Sequence, residues 1–123
     1  MTRILLCFTL LFSAFFAQAV DINTITAAFK TGNASTLAAF MDQEVDMAVP
    51  ASTKKCNPSE AIALLNAFFT SNPPTQFAVV HHAAKKDSGF LVGKLLTAKG
   101  EFRVNITYRT ENNKDIIQSI RME

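Results

Sequence analysis

Phe90 to Tyr108, FLVGKLLTAKGEFRVNITY, is a β-hairpin written in side-chain alternation. In its second half Phe102, Val104, Ile106 and Tyr108 fall on one side of a strand, and Glu101, Arg103, Asn105 and Thr107 on the other. Gly100, in the Ala98-Lys99-Gly100-Glu101 joint, supplies the residue that a tight hairpin needs at positive φ. The first half, Phe90 to Thr97, is apolar on both faces, which predicts a central strand. The pattern specifies a half-buried antiparallel sheet and names no substrate.

The alternation continues on both sides of this hairpin. Downstream, Asn112-Asn113 marks a turn and Asp115 to Met122 a last strand. Upstream, Thr75 to Lys85 is a strand with Phe77, Val79, His81 and Ala83 on one face, and Asp87-Ser88-Gly89 joins it to Phe90. A two-residue turn at Lys99-Gly100 sets Leu95 opposite Val104 and Leu91 opposite Tyr108. A three-residue turn at Asp87 to Gly89 sets His81 opposite Leu95. A three-residue turn at Asn112 to Lys114 brings Ile116, Gln118, Ile120 and Met122 to the same face, with Gln118 opposite Tyr108. A slip of one residue at any of these turns would move a whole set of side chains to the other face.

Helical spacing dominates before Thr75. Asp21 to Gly32 repeats Ile22, Ile25 and Phe29, with Gly32 as its stop. Asn33 to Met41 predicts a second short helix with Leu37, Phe40 and Met41 on its apolar side. Glu44 to Pro50 alternates, Val45, Met47 and Val49 facing one way, and Ala51 to Cys56 reads as a loop. Asn57-Pro58-Ser59-Glu60 is a helix start, with Asn57 as cap, Pro58 in the first turn and Glu60 at the capping-box position. Ala61, Leu64, Leu65 and Phe68 follow on one face, widened by Ile62 and Phe69, until Asn72-Pro73-Pro74 ends the helix. The expected fold is α+β: three N-terminal helices packed on a curved, mainly antiparallel sheet, in the order ααβαββββ.

Residues 1–19 read as a secretory signal peptide. Arg3 precedes an apolar run from Ile4 to Phe16, and Ala17-Gln18-Ala19 is an A-x-A cleavage signature. Residues 20–123 then form a single domain, exported to the periplasm or beyond. The whole chain has twelve Lys and Arg against ten Asp and Glu, so loss of Arg3 leaves +1. That balance offers no footprint for nucleic acid, and no basic amphipathic helix points to a membrane after cleavage. Cys7 lies in the leader, so Cys56 is left without an intrachain disulfide partner.

The order of elements resembles the nuclear transport factor 2-like fold, the cystatin-like α+β cone, whose members include ketosteroid isomerase, scytalone dehydratase and polyketide cyclases. The matching pieces are FKTGNASTLAAFMDQEVDMAVP, where an early helix runs through small residues into a first strand, and the closing strand DIIQSIRME. Together with the helix before FFTSNPP and the GKLLTAKGEFRV hairpin, they resemble a small family of exported bacteroidete proteins described only as domain of unknown function 4783. The resemblance covers nearly all of residues 20–123 and implies a cone fold and an envelope or secreted location. It carries over no substrate and no catalytic residue.

An isomerase-type site in such a cone needs a carboxylate base with a Tyr and a protonated acid as oxyanion hole. This chain has one tyrosine, Tyr108, and the expected inner face of the sheet holds no Asp or Glu. His81 and His82 are neighbours in a strand, point to opposite faces, and cannot ligate one metal as a pair. No metal or cofactor is expected. Glu44 and Asp46 share a strand face and are read as solvated. Cys56, after Lys54-Lys55 and before a helix, has the surroundings that lower a thiol pKa, without an identifiable His partner. Asn33-Ala34-Ser35 and Asn105-Ile106-Thr107 match glycosylation sequons.

What remains is His81, Tyr108 and Gln118 among Phe68, Phe69, Phe77, Phe102 and Ile106. A few polar groups on an apolar concave face describe a pocket for a small apolar or amphipathic ligand. They equally describe a filled core, for which the chain has many Phe residues. The leading reading is a non-enzymatic binding or interaction module. The alternative is a structural or assembly protein, a homodimer through the opposite sheet face, where Ala78, Val80, Val92, Leu96 and Ile117 mix with Arg103, Asn105, Thr107 and Arg109. A cone-fold hydratase or isomerase is the third, and requires an acid or base inside the cone.

Overall fold

The structure is a computed structural model that describes residues 22–50, 52–112 and 114–123. The signal peptide expected over residues 1–19 lies outside the described residues. Helix α1 spans Ile22–Thr31 and buries Ile25, Ala28 and Phe29. It stops at Gly32, whose φ of 73° is the left-handed conformation that glycine adopts without penalty. A 3₁₀ segment, Ala34–Phe40, follows and buries Ala34 and Leu37. It takes the place of the second helix expected there. Ser35 donates to the Asn33 side chain and Thr36 to the Asn33 carbonyl. Such local side-chain bonds compete with a regular α-helix.

Strands β1 (Met41–Val49) and β2 (Ser52–Cys56) form a hairpin. Helix α2 (Pro58–Ser71) comes next, followed by β3 (Pro74–Ala84), β4 (Ser88–Thr97), β5 (Gly100–Glu111) and β6 (Lys114–Met122). The start of α2 is the capping box expected from the sequence. The Glu60 N–H donates to Asn57 Oδ1 at 2.8 Å, and the Asn57 N–H donates to Glu60 Oε1 at 3.1 Å. A cap of this kind stabilises a helix by about 1 kcal/mol.

The six strands make one curved sheet in the order β2-β1-β6-β5-β4-β3. β1 and β6 run parallel and every other pair antiparallel. Two expectations are corrected here. The helices do not all precede the sheet: α1 and the 3₁₀ segment do, but α2 follows the β1–β2 hairpin. The segment read as a loop is strand β2. Its middle residues are exposed, and Lys54 and Lys55 face Glu60 and Glu44 at 3.7 and 3.5 Å. Only Cys56 turns inward, so a one-sided edge strand carries almost no hydrophobic pattern.

The core lies between the helices and one face of the sheet. Phe29 of α1 is 0% exposed, stacks on Phe77 of β3 at 5.1 Å and meets Phe69 of α2 edge-on at 5.6 Å. Phe68 meets Phe69 and Phe102 edge-on at 5.9 and 5.0 Å. Leu65, Leu91, Leu95, Val104, Ile106, Ile117 and Ile120 complete the interior. Apart from Tyr108, whose phenol is bonded to His82, no polar or charged residue is buried among the described residues.

Candidate functional site

The positions of the candidate residues follow from where the strands bulge. From Phe77 to Val79 the ladder with β4 is regular, Phe77 opposite Leu95 and Val79 opposite Gly93. The register then shifts, and His81 faces Val92 while His82 faces Leu91. Val80 is the extra residue of a β-bulge, which sends everything after it to the other face. His82, not His81, is therefore on the same sheet face as the buried Leu91, although His82 itself is exposed. His81 lies on the outer face, its ring 5.4 Å from that of Phe90.

A second bulge treats Gln118 the same way. β5 and β6 pair Thr107 with Ser119 but Tyr108 with Ile117, so Gln118 is passed over and exposed. Ile117, expected on the outer face, is buried opposite Tyr108 instead. The β4–β5 turn differs without consequence for the faces. Its two connecting residues are Ala98 and Lys99, so Leu95 pairs with Phe102 and Leu91 with Ile106. That is two residues from the expected register, and a shift of two preserves the face.

Tyr108 is buried and runs back over Gly89, where an added Cβ would stand 2.5 Å from its Cζ. Its hydroxyl reaches His82 Nε2 at 2.8 Å. One aromatic side chain thus ties β5 to β3 across β4. Burial, helped by the negative charge of Asp115, pushes the Tyr108 phenol above its ordinary pKa. Phe68, Phe69, Phe77 and Ile106 are buried in the core, and Phe102 is half-buried.

The acids are elsewhere. Asp42 is held by Arg109, Nη2 to Oδ1 at 3.3 Å and Nε to Oδ2 at 3.4 Å, and these bonds lower its pKa. Glu44 and Asp46 are exposed. Among the described residues none of the three makes a hydrogen bond or ion pair with His82 or Tyr108. Cys56 is 1% exposed, and burial raises its pKa despite the nearby Lys54. The thiol's surroundings are the opposite of those that make a cysteine reactive.

Open space lies at the margins of the interior. A recess of about 260 Å³ opens between the end of β1, helix α2 and the start of β5. Val49, Leu64, Phe68 and Phe102 wall it, and Ser52, Ser71 and Asn72 stand at its polar side. A larger groove, about 510 Å³, crosses the outer face of β2, β1, β6 and β5 between Asp46, Lys55, Asn105, Thr107, Ser119 and Arg121. Phe68 and Phe102 belong to the sequence candidates. Leu64 and Val49 were legible only as core positions, because the recess joins three segments that are distant in the chain.

The comparisons with known proteins match this architecture. The family model described as "Domain of unknown function (DUF4783)" covers residues 22–123. A DUF4783 family protein from Bacteroides ovatus ATCC 8483 is similar at 29% identity and a TM-score of 0.79, over 86% of this chain and 96% of that one. One from Bacteroides fragilis YCH46 is 34% identical with a TM-score of 0.76, over 84% and 96%. An NTF-2 like protein of unknown function from Silicibacter pomeroyi DSS-3 shares the fold at 14% identity and a TM-score of 0.59, over 83% and 87%. No curated protein matches the chain. With the family model spanning every described residue and the cone architecture in common, the chain belongs to the DUF4783 family and has the nuclear transport factor 2-like fold.

Proposed function

We propose that this protein is a non-catalytic binding module whose ligand site is the apolar recess at the mouth of the cone. The observation that carries the reading is the contrast between a filled interior and an open mouth. Phe29, Phe69 and Phe77 close the centre, whereas Leu64, Phe68, Phe102 and Val49 leave about 260 Å³ accessible. Sites for drug-sized ligands occupy roughly 300–1,000 Å³. This recess suits a smaller occupant, such as the end of an acyl chain or a single aromatic ring. Ser52, Ser71 and Asn72 offer neutral hydrogen bonds and no charge, so the bound part of the ligand is uncharged.

The test is a titration with decanoate, followed by methyl and aromatic NMR. Shifts should concentrate at Leu64, Phe68, Phe102 and Val49. Ala67 lines the recess and is exposed, so Ala67→Trp fills the space without entering the core. It should weaken binding at least about tenfold, equivalent to about 1.4 kcal/mol. Equal binding by both proteins, or shifts confined to other surfaces, would remove the proposal.

A further inference from the structure

β3 ends the six-stranded sheet, and among the described residues no strand pairs with its outer edge. Alternate residues of an edge strand turn their N–H and C=O groups away from the sheet, which makes the edge a template for another strand. The two edges of this sheet are built differently. β2 is five residues long and carries Lys54 and Lys55, the charge that discourages pairing. β3 runs for eleven residues, Pro74–Ala84, without a single Asp, Glu, Lys or Arg. Val80 is 63% exposed and Val79 36%. A hollow of about 350 Å³ runs from Val80 of β3 over Val92 and Lys94 of β4 to Glu101 and Arg103 of β5. Just past the strand, Lys85 and Lys86 are exposed and enter no ion pair among the described residues.

We propose that the outer edge of β3 accepts an extended segment of a partner polypeptide as a seventh, antiparallel strand, apolar at alternate positions and acidic at its N-terminal end. Main-chain hydrogen bonds would supply the affinity and the hollow beside Val80 the side-chain selectivity. An antiparallel segment begins beside the C-terminal end of β3, so its first residues meet Lys85 and Lys86, and acids there complete the charge. A second copy of this chain fits poorly. Antiparallel β3–β3 pairing would set Lys85 and Lys86 beside Pro73 and Pro74, which have neither N–H donors nor acids. The bulge at Val80 also bends the edge, and a flexible peptide can follow a bend that a rigid sheet edge cannot.

The probe is a synthetic peptide of two glutamates followed by three Val-Thr repeats, with a control in which lysines replace the glutamates. Binding to the whole protein is read by fluorescence anisotropy and by amide hydrogen exchange. The glutamate peptide should slow exchange along β3 and bind at least tenfold more tightly than the lysine control. Val80→Lys, at an exposed position, should weaken it at least tenfold while the circular dichroism spectrum is kept. Unchanged exchange along β3, equal binding of the two peptides, or sedimentation showing a dimer that Val80→Lys dissolves would each overturn the proposal.

Discussion

Phe29→Ala should destabilise the fold by about 3–5 kcal/mol, as expected for deleting a fully buried aromatic ring. The ring is 0% exposed and holds three elements at once, stacking on Phe77 of β3 and meeting Phe69 of α2 edge-on from its own place in α1. Its loss removes apolar burial, two aromatic contacts and the filling of the centre of the cone. The neighbours cannot collapse freely, because Phe77 is anchored in the sheet and Phe69 in a capped helix. Urea unfolding followed by circular dichroism measures the effect as a lower midpoint at unchanged slope. A loss below about 1 kcal/mol would mean that the interior is already loose at this point.

Gly93→Ala is the second large effect, and its sign runs against propensity. In a strand interior glycine is normally the weaker residue, yet here alanine should cost about 1–3 kcal/mol, the range for overpacking a core. The added Cβ would stand 2.5 Å from Phe77 Cε1 and closer still to its Cζ, with the Ala78 carbonyl oxygen at 3.2 Å. Phe77 cannot retreat, because Phe29 stacks against it. Gly93→Ala combined with Phe77→Leu should recover part of the loss, a coupling within the roughly 0.5–3 kcal/mol found for residues in contact. Additive losses in the double variant would show that the ring is not what the methyl group meets. Gly89 is the milder case. There the obstacle is the end of the Tyr108 side chain, which can swing away at the cost of its bond to His82.

Both glycines show what the sequence conveyed and what it withheld. Alternation, combined with the turn lengths that join the strands, put Val45, Met47, Val49, Phe77, Leu91, Leu95, Val104, Ile106, Tyr108, Ile120 and Met122 on the buried face, and the structure buries each of them. Asn57 and Glu60 announced the start of α2 by chemistry that acts within four residues. Bulges were invisible, because a bulge is settled by the whole sheet's curvature. Two doublets were its only local trace. Val79-Val80 and Ile116-Ile117 each set two apolar residues side by side, where strict alternation allows one inward position. Reading them as single steps sent His81 and Gln118 to the wrong face and hid the bond between His82 and Tyr108. β2 escaped for another reason: an edge strand that faces water on one side and carries two lysines shows no period. The mouth recess escaped because Val49, Leu64 and Phe102 come from three elements, and a cavity is a property of how far such elements stand apart, which no period in the chain encodes.

The filled centre and open mouth are tested most directly by pressurising crystals with xenon, which settles against apolar walls that leave it room. The structure predicts xenon in the recess between Leu64, Phe68 and Phe102, and none among Phe29, Phe69 and Phe77. Xenon inside the Phe29 cluster, with the recess empty, would contradict it.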